Sequence, residues 1–345
     1  MKPQLRILSI DGGGIRGIIP CTILSFIEEQ LGYPLCQVFD LISGTSTGGI
    51  ITMGLAAPGD DGAARYTPSD LRKLYLKNGS KIFGERQDDL ISRIGSITKI
   101  TDMIFQKPYD ESDFEDLLKD YFGDLRLSMG LTSTIVTSYE IQKGKPFYFS
   151  SRLAMSNKKE DFLMREVCRS TSAAPVYFEP SVVKFEKDEE LALVDGGVFA
   201  NNPSVLAYSE AKELWKIRTG KAFEPVVKPD DEDLPFFQLS IGTGYSLKSI
   251  PLKEAKDWRA LNWGRFLTDI FMRSVSESTD FTMAHLLPEY TNGDKRYIRL
   301  NMMIPEENSK MDDVSDDNLF ALCEVAEKYV KRNEKELLRI CEMLS

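Results

Sequence analysis

The chain has 345 residues, enough for one large α/β unit or two ordinary ones. Its 42% hydrophobic and 28% charged residues lie in the ordinary globular range and exclude wholesale disorder. The formal net charge of -10 excludes general binding of nucleic-acid polymers, because phosphate neutralisation needs a basic face, and it excludes docking on anionic lipid by bulk charge alone.

Residues 5–10 read as a short buried strand, followed by the loop Asp11-Gly-Gly-Gly-Ile-Arg-Gly17. Helical spacing of Ile19, Ile23, Phe26 and Ile27 predicts a helix over 18–31, closed by Gly32 and Pro34. A second strand is expected over 38–43, then the turn Gly44-Thr-Ser-Thr-Gly48 and a helix over 49–57. Strand, glycine turn, helix, repeated, is the rhythm of a parallel α/β sheet. Residues 68–78 read as helix. Residues 80–106 are the least orderly stretch, and their stripe of Ile91, Ile94, Ile97, Ile100 and Ile104 is expected to pack inward rather than form a membrane-touching lid. Strands are expected over 131–139 and 147–150, joined through Lys143-Gly144-Lys145, then a helix over 162–172 ending before Pro175. Residues 192–194 read as a strand entering Asp195-Gly-Gly197, and 236–241 as another ending at Gly242-Thr-Gly244, after an acidic, proline-bounded loop over 228–235.

Beyond Pro251 the chain reads as mostly helical, ending in a charged amphipathic helix over 315–344. Ser315, Asp316 and Asp317 fit an amino-terminal cap with dipole partners, while the spacing with Asp312 and Asp313 lacks the glycine and glutamate of a calcium loop. Trp258, Trp263, Arg259, Arg265 and Arg273 gather aromatics and cations, either for helix packing or as an interfacial or nucleotide-contacting surface. Five cysteines without CxxC spacing and one histidine give no zinc set and suit a reduced compartment. No internal repeat or clean linker appears, so one domain over 1–345 is expected, with a helical extension over 250–345. The first ten residues are too short for a signal peptide and no apolar run nears the ~18 residues of a span, so a cytoplasmic protein touching membranes peripherally is expected.

Gly44-Thr45-Ser46-Thr47-Gly48 matches the GxSxG nucleophile elbow, whose small flanking residues let strand and helix approach around a strained serine. A hydroxyl needs an adjacent base. His285 lies in a helical stretch beside Phe281, Ala284 and Leu287, a setting of packing or surface more than of catalysis. The order Ser46, Asp195, His285 is nevertheless that of α/β-hydrolases, so a Ser-His-Asp lipase or esterase stays open. Gly12, Gly14 and Gly17 fit G-x-G-x-x-G, which raises a Rossmann-type dinucleotide enzyme. Against it, Asp11 would repel a pyrophosphate, and Asp40, at the right spacing for a ribose, precedes the strand feeding Ser46. Glycine amides at a helix start also serve as an oxyanion hole, which an elbow serine requires.

Together these blocks resemble the patatin-like phospholipases: Asp11-Gly-Gly-Gly-Ile-Arg-Gly17, Gly44-Thr-Ser-Thr-Gly48, Ser172-Ala-Ala-Pro175, Asp195-Gly-Gly-Val-Phe-Ala-Asn-Asn-Pro203 and Ser240-Ile-Gly-Thr-Gly244, in family order across roughly residues 1–245. The resemblance implies a three-layer α/β/α fold with a mainly parallel central sheet and a Ser-Asp dyad instead of a triad. Ser46 would be the nucleophile, Asp195 the base, Gly12, Gly13 and Gly14 the oxyanion donors, and Arg16 a neighbour of the phosphate or oxyanion. It implies hydrolysis of fatty-acyl esters in membrane phospholipid at the inner membrane face, without cofactor or metal. Some similar bacterial proteins that open with this glycine run are antiphage effectors switched on by cyclic dinucleotides. That resemblance implies a cyclic dinucleotide activator here, with homo-oligomerisation as a route to activation.

Overall fold

The structure, a computed structural model, describes residues 5–84, 109–186, 189–221, 236–247, 250–256, 258, 260–289 and 293–345. The isoleucine stripe over 91–104 and the acidic loop over 228–235 lie outside the described residues, as does Arg259, and nothing is described of the Arg265 side chain.

The described strands are β1 (Leu5–Ile10), β2 (Leu41–Thr45), β3 (Ser133–Glu140), β4 (Lys145–Ser150), β5 (Ser181–Glu186), β6 (Glu189–Asp195), β7 (Phe236–Ile241) and β8 (Tyr297–Leu300). They form one sheet in the order β5-β6-β3-β2-β1-β7-β8, with β4 also on β3. From β3 to β8 the neighbours are parallel, while β4 and β6 run antiparallel to β3. The chain order reverses beside β1, and ligand sites of open α/β sheets lie outside the carboxyl ends of strands at such a switch point.

Helices cover both faces. On one side α1 (Ile18–Leu31), α2 (Thr47–Ala56), α3 (Pro68–Ile82), α4 (Ser112–Phe122) and α5 (Met164–Thr171) pack on the sheet. A helical turn, α6 (Gly197–Ala200), follows β6, and α7 (Ser204–Thr219) and α8 (Ala260–Leu286) lie on the other side. The pleat of β1 separates the two cores: Leu8 and Ile10 join the first, Leu5 and Ile7 the second. Two final helices, α9 (Asp316–Arg332) and α10 (Glu334–Leu344), return to the first face through Leu322, Leu337 and Ile340. The outcome is the expected three-layer α/β/α arrangement.

Local signals explain several boundaries. Thr67 accepts from the Asp70 amide and Asp70 from the Thr67 amide, a capping box with Pro68 in the first turn, so α3 starts where the sequence indicates. The second strand begins later than expected, at Leu41. Residues 35–38 instead form a helical turn after Pro34, and Asp40 is tied to β1 by reciprocal bonds with the Arg6 amide and carbonyl. The predicted terminal helix is broken at Asn333, whose backbone and side-chain amides both close on the Tyr329 carbonyl. Ser315 stands at the amino-terminal cap of α9, but its hydroxyl donates to Asp313 instead of accepting from the helix. The stretch after Pro251 also contains a strand, β8, that the sequence reading did not anticipate; nor did it anticipate β5.

The loop after α5 contains a strained residue. Tyr177 donates to the Ala174 carbonyl, closing a turn with Pro175 second and Val176 third, and Val176 has a φ of 78°. Proline second with a left-handed third residue is the type II pattern, which favours glycine in the third place. A β-branched side chain there is a steric outlier costing about 1–3 kcal/mol. Val176 is 62% exposed, so little burial repays that cost. Val176→Gly is therefore expected to stabilise the protein by about 1 kcal/mol once the added chain entropy of glycine is subtracted. Urea unfolding at equal slope measures this, and an unchanged or lower midpoint would show that the turn is not strained.

Candidate active site

Two strands share one edge of β3. Its residues 133–137 pair with β2, and the next three, Ser138 to Glu140, pair with β6. Because β4 occupies the opposite edge along this stretch, β2 and β6 lie end to end on the same edge. They run in opposite directions, so their carboxyl ends meet. Thr45 stands opposite Thr137, and Asp195 stands opposite Ser138, the next residue along. Ser46 follows Thr45, so it and Asp195 converge although 149 positions separate them in the sequence.

The junction tolerates few side chains. A Cβ on Gly196 would lie 2.1 Å from the Thr137 hydroxyl, one on Gly44 2.1 Å from the Gly48 carbonyl, and one on Gly48 2.2 Å from the Ile10 carbonyl. These contacts explain the glycines on either side of the serine and after the aspartate. Ser46 takes φ 56° and ψ -124°, the strained nucleophile conformation of an elbow. A threonine relay supports it: the Ser46 amide donates to Thr171 Oγ1 at 2.8 Å, and that hydroxyl donates to the Thr137 carbonyl at 2.7 Å. Thr45 Oγ1 lies 2.7 Å from Thr137 Oγ1 and donates to the Ala200 carbonyl. Sequence reasoning missed Thr171, which immediately precedes the Ser172-Ala-Ala-Pro175 block. That block has its own task, since the Asp195 amide donates to the Ala173 carbonyl.

The glycine loop crosses the same junction from β1. The Gly12 amide donates to the Asn201 carbonyl at 3.1 Å, and the Ile15 amide to the Met311 carbonyl at 2.9 Å. Gly12 is thus engaged and is not a free oxyanion donor as the resemblance implied. The amides of Gly13 and Gly14 have no acceptor among the described residues, and both glycines line the cavity that holds Ser46. The Thr47 amide, a donor in many elbows, likewise has none. Arg16 turns back on the loop, with Nε donating to the Gly13 carbonyl at 3.2 Å and Nη1 to Gly244 at 3.4 Å, and is not among the cavity's lining residues.

Ser46 and Asp195 open on a cavity of about 210 Å³ with mostly apolar walls, including Ile50, Tyr75, Phe83, Phe114, Phe178 and Met311. This is below the ~300–1,000 Å³ that takes a drug-sized ligand, and it suits one hydrocarbon chain better than a bulky polar molecule. A dinucleotide has no place on the glycine loop. Cβ positions on Gly13 and Gly14 would meet Thr243 and Met311 at 2.2 Å, so the loop is covered by protein where a Rossmann loop must be open. His285 is exposed on α8, with Nδ1 against the Phe281 carbonyl of its own helix, and does not line the cavity.

Comparison with known proteins gives a consistent result. A family model described as patatin-like phospholipase matches residues 8–208. Patatin-like protein 1 of Oryza sativa subsp. indica is 32% identical, over 94% of this chain and 81% of its own length. Patatin-like protein 2 of Arabidopsis thaliana is 31% identical, over 95% and 83%. Patatin group J-1 of Solanum tuberosum is 28% identical, over 100% and 91%.

Burial dominates the electrostatics of Asp195. Desolvation pushes its pKa up to about 6, although hydrogen bonds from Ser46 and the Gly197 amide (2.7 Å) favour the charged form. In the unfolded chain the group titrates near 3.8. The folded protein therefore holds more protons between these values, and stability falls as pH rises through that window, by about 3 kcal/mol in all. Asp195→Asn, which has no charge to desolvate, is expected to resist denaturant better than the parent above pH ~6 and to match it near pH ~4. Paired unfolding curves test this; a parent as stable as the variant at pH ~7.5 would mean the carboxylate is not destabilised by burial.

Proposed function

Since this chain belongs to the patatin-like phospholipase family and is a lipid acyl hydrolase, we propose that it cleaves fatty-acyl esters of membrane phospholipids through a Ser46–Asp195 dyad. The convergence of Ser46 and the buried Asp195 carboxylate at the meeting ends of β2 and β6, in one cavity, carries this reading, in a chain whose one histidine faces elsewhere. Ser46 Oγ attacks the ester carbonyl while Asp195 accepts its proton. The carbonyl oxygen becomes an oxyanion, held by the Gly13 and Gly14 amides. The tetrahedral centre collapses, the alcohol leaves with the proton from Asp195, and an acyl-Ser46 remains. Asp195 then takes a proton from water, which attacks the acyl carbonyl, and returns it to Ser46 as the fatty acid departs. A raised pKa makes Asp195 a more effective base than an ordinary carboxylate near neutrality.

The apolar cavity supports a fatty-acyl substrate, and its mouth supports peripheral work at a bilayer. Val176, Val198 and Phe271 line the cavity yet are 62, 46 and 57% exposed, so an acyl chain leaving lipid meets apolar groups on its way to Ser46. Among the described residues no helix is long and apolar enough to cross a membrane.

Activation by a cyclic dinucleotide is proposed at α8. Trp263 is exposed and packs edge-on to Trp258 at 5.2 Å, and Arg273 lies over the Tyr245 ring. A stacking base and a phosphate suit these groups. The same helix carries Phe271 and Met272 into the Ser46 cavity, so a ligand on α8 has a mechanical route to the site.

With a short-chain soluble ester, Ser46→Ala is expected to be inactive and Asp195→Asn to lose about 10²–10⁴-fold, while His285→Ala keeps most of its activity. The rate of the parent should rise with pH around a midpoint near 6. A His285→Ala protein that is folded but as inactive as Asp195→Asn would favour a triad. For regulation, hydrolysis of phospholipid vesicles is measured with a panel of cyclic dinucleotides. Stimulation that Trp263→Ala removes supports the α8 site, and the absence of both binding and stimulation removes it.

A further inference from the structure

The family match ends at residue 208, yet most of what holds the glycine loop comes from later in the chain. The Asp11 amide donates to the Ile241 carbonyl at 3.0 Å, Thr243 Oγ1 donates to the Gly12 carbonyl at 2.7 Å, and Met311 accepts from Ile15. Among the described residues, the ion pair to this loop comes from Arg299 on β8. Its Nη1 donates to Asp11 Oδ1 at 2.7 Å and to Ser240 Oγ at 2.8 Å, and its Nη2 donates to Asp11 Oδ2 at 2.5 Å. The two side chains are 12% and 4% exposed. Burial disfavours the charge on both partners and raises the Asp11 pKa, while Asp11, with Tyr297 and Asp280, together hold Arg299 above the ordinary arginine value.

We propose that Arg299 is a positioning residue for the acyl-transfer reaction: its planar fork fixes the Asp11 carboxylate, and through it the backbone of the glycines that follow, so that the Gly13 and Gly14 amides meet the oxyanion formed at Ser46. This rests on the Ser46 reading above. A bidentate arginine–carboxylate pair fixes orientation as well as distance, which lysine, as a point charge, does not. Asp11 is the residue before Gly12, so rotation of its carboxylate is felt two peptide units on. Displacement of a catalytic group by about 1 Å costs about 10²-fold in rate, and loss of one oxyanion donor about 10²–10³-fold. Arg16 braces the same loop from its other end through the Gly13 carbonyl. The location of Arg299 explains why the motif blocks give no hint of it.

The test compares the parent with Arg299→Lys, Arg299→Met, Asp11→Asn and the double variant Asp11→Asn/Arg299→Met on a soluble ester. kcat is expressed per active site, counted from the end point of fluorophosphonate labelling at Ser46, so that unfolded protein does not contribute. We expect Arg299→Lys to lose about tenfold in kcat and Arg299→Met about a hundredfold, with KM within about twofold in both. The double variant should be no slower than the slower single variant, because both changes break one contact. Unchanged kcat per labelled site in Arg299→Lys, a loss confined to KM, or additive losses in the double variant would each overturn the proposal. If Arg299→Met does not fold, Arg299→Lys, which retains the counter-charge, decides the matter. Parent protein that hydrolyses the ester with no adduct on Ser46 is a separate outcome, which refutes the nucleophile and not the Arg299–Asp11 coupling.

Discussion

The edge of β3 that faces β2 is shared between two strands arriving from opposite directions, and the site depends on this sharing. β2 stops opposite Thr137 and β6 stops opposite Ser138. A chain leaving β2 must turn at once to avoid β6, which is what the elbow at Ser46 does, and its backbone strain is the local cost of that turn. The same collision brings a carboxylate to the serine without any flexible segment between them, because Asp195 is the last residue of its strand. Glycines at 44, 48 and 196 are required by contacts near 2 Å, so the motif spacing is a packing constraint before it is a chemical one.

Two carboxylates are buried here, and burial raises the pKa of each. Asp11 has a cation against it and serves to hold backbone. Asp195 has no cation against it among the described residues, and burial pushes it toward its neutral form, the environment the proposed base requires. The difference between them is Arg299, which β8 supplies to Asp11. Acid–base readiness at Asp195 is gained against stability, as expected where function needs an unfavourable environment.

The parts legible in the sequence were those fixed by local rules. β1, its glycine loop, α1, the serine elbow and the Asp195 turn all follow from hydrophobic runs bounded by glycine, and the first two βα units already indicated a parallel sheet. The parts not legible depend on tertiary context. β8 is four residues long and Arg299 breaks its apolar run, so no periodicity marks it. It is a strand because β7 offers it an edge. Thr171 looks like an ordinary helix-terminal threonine, and its bond to the Ser46 amide spans 125 positions. Gly12 and Gly13 cannot be told apart in sequence. Only the Asn201 carbonyl, reached across the junction, separates the engaged amide from the free one. His285, read from its surroundings as packing or surface, stands exposed on α8.

The central claim is that Ser46, Asp195 and the amides of Gly13 and Gly14 form one acyl-transfer centre. A crystal structure of the protein after reaction with an alkyl fluorophosphonate tests it most directly, because the adduct mimics the tetrahedral intermediate. The account predicts phosphorus bonded to Ser46 Oγ, one phosphonyl oxygen about 2.7–3.1 Å from both glycine amides, the alkyl chain in the cavity beside Phe114 and Phe178, and Asp195 as the carboxylate nearest the serine oxygen. An adduct whose oxygen turns to the Thr47 amide and away from Gly13 and Gly14, or one in which His285 has moved against the serine oxygen, would contradict it.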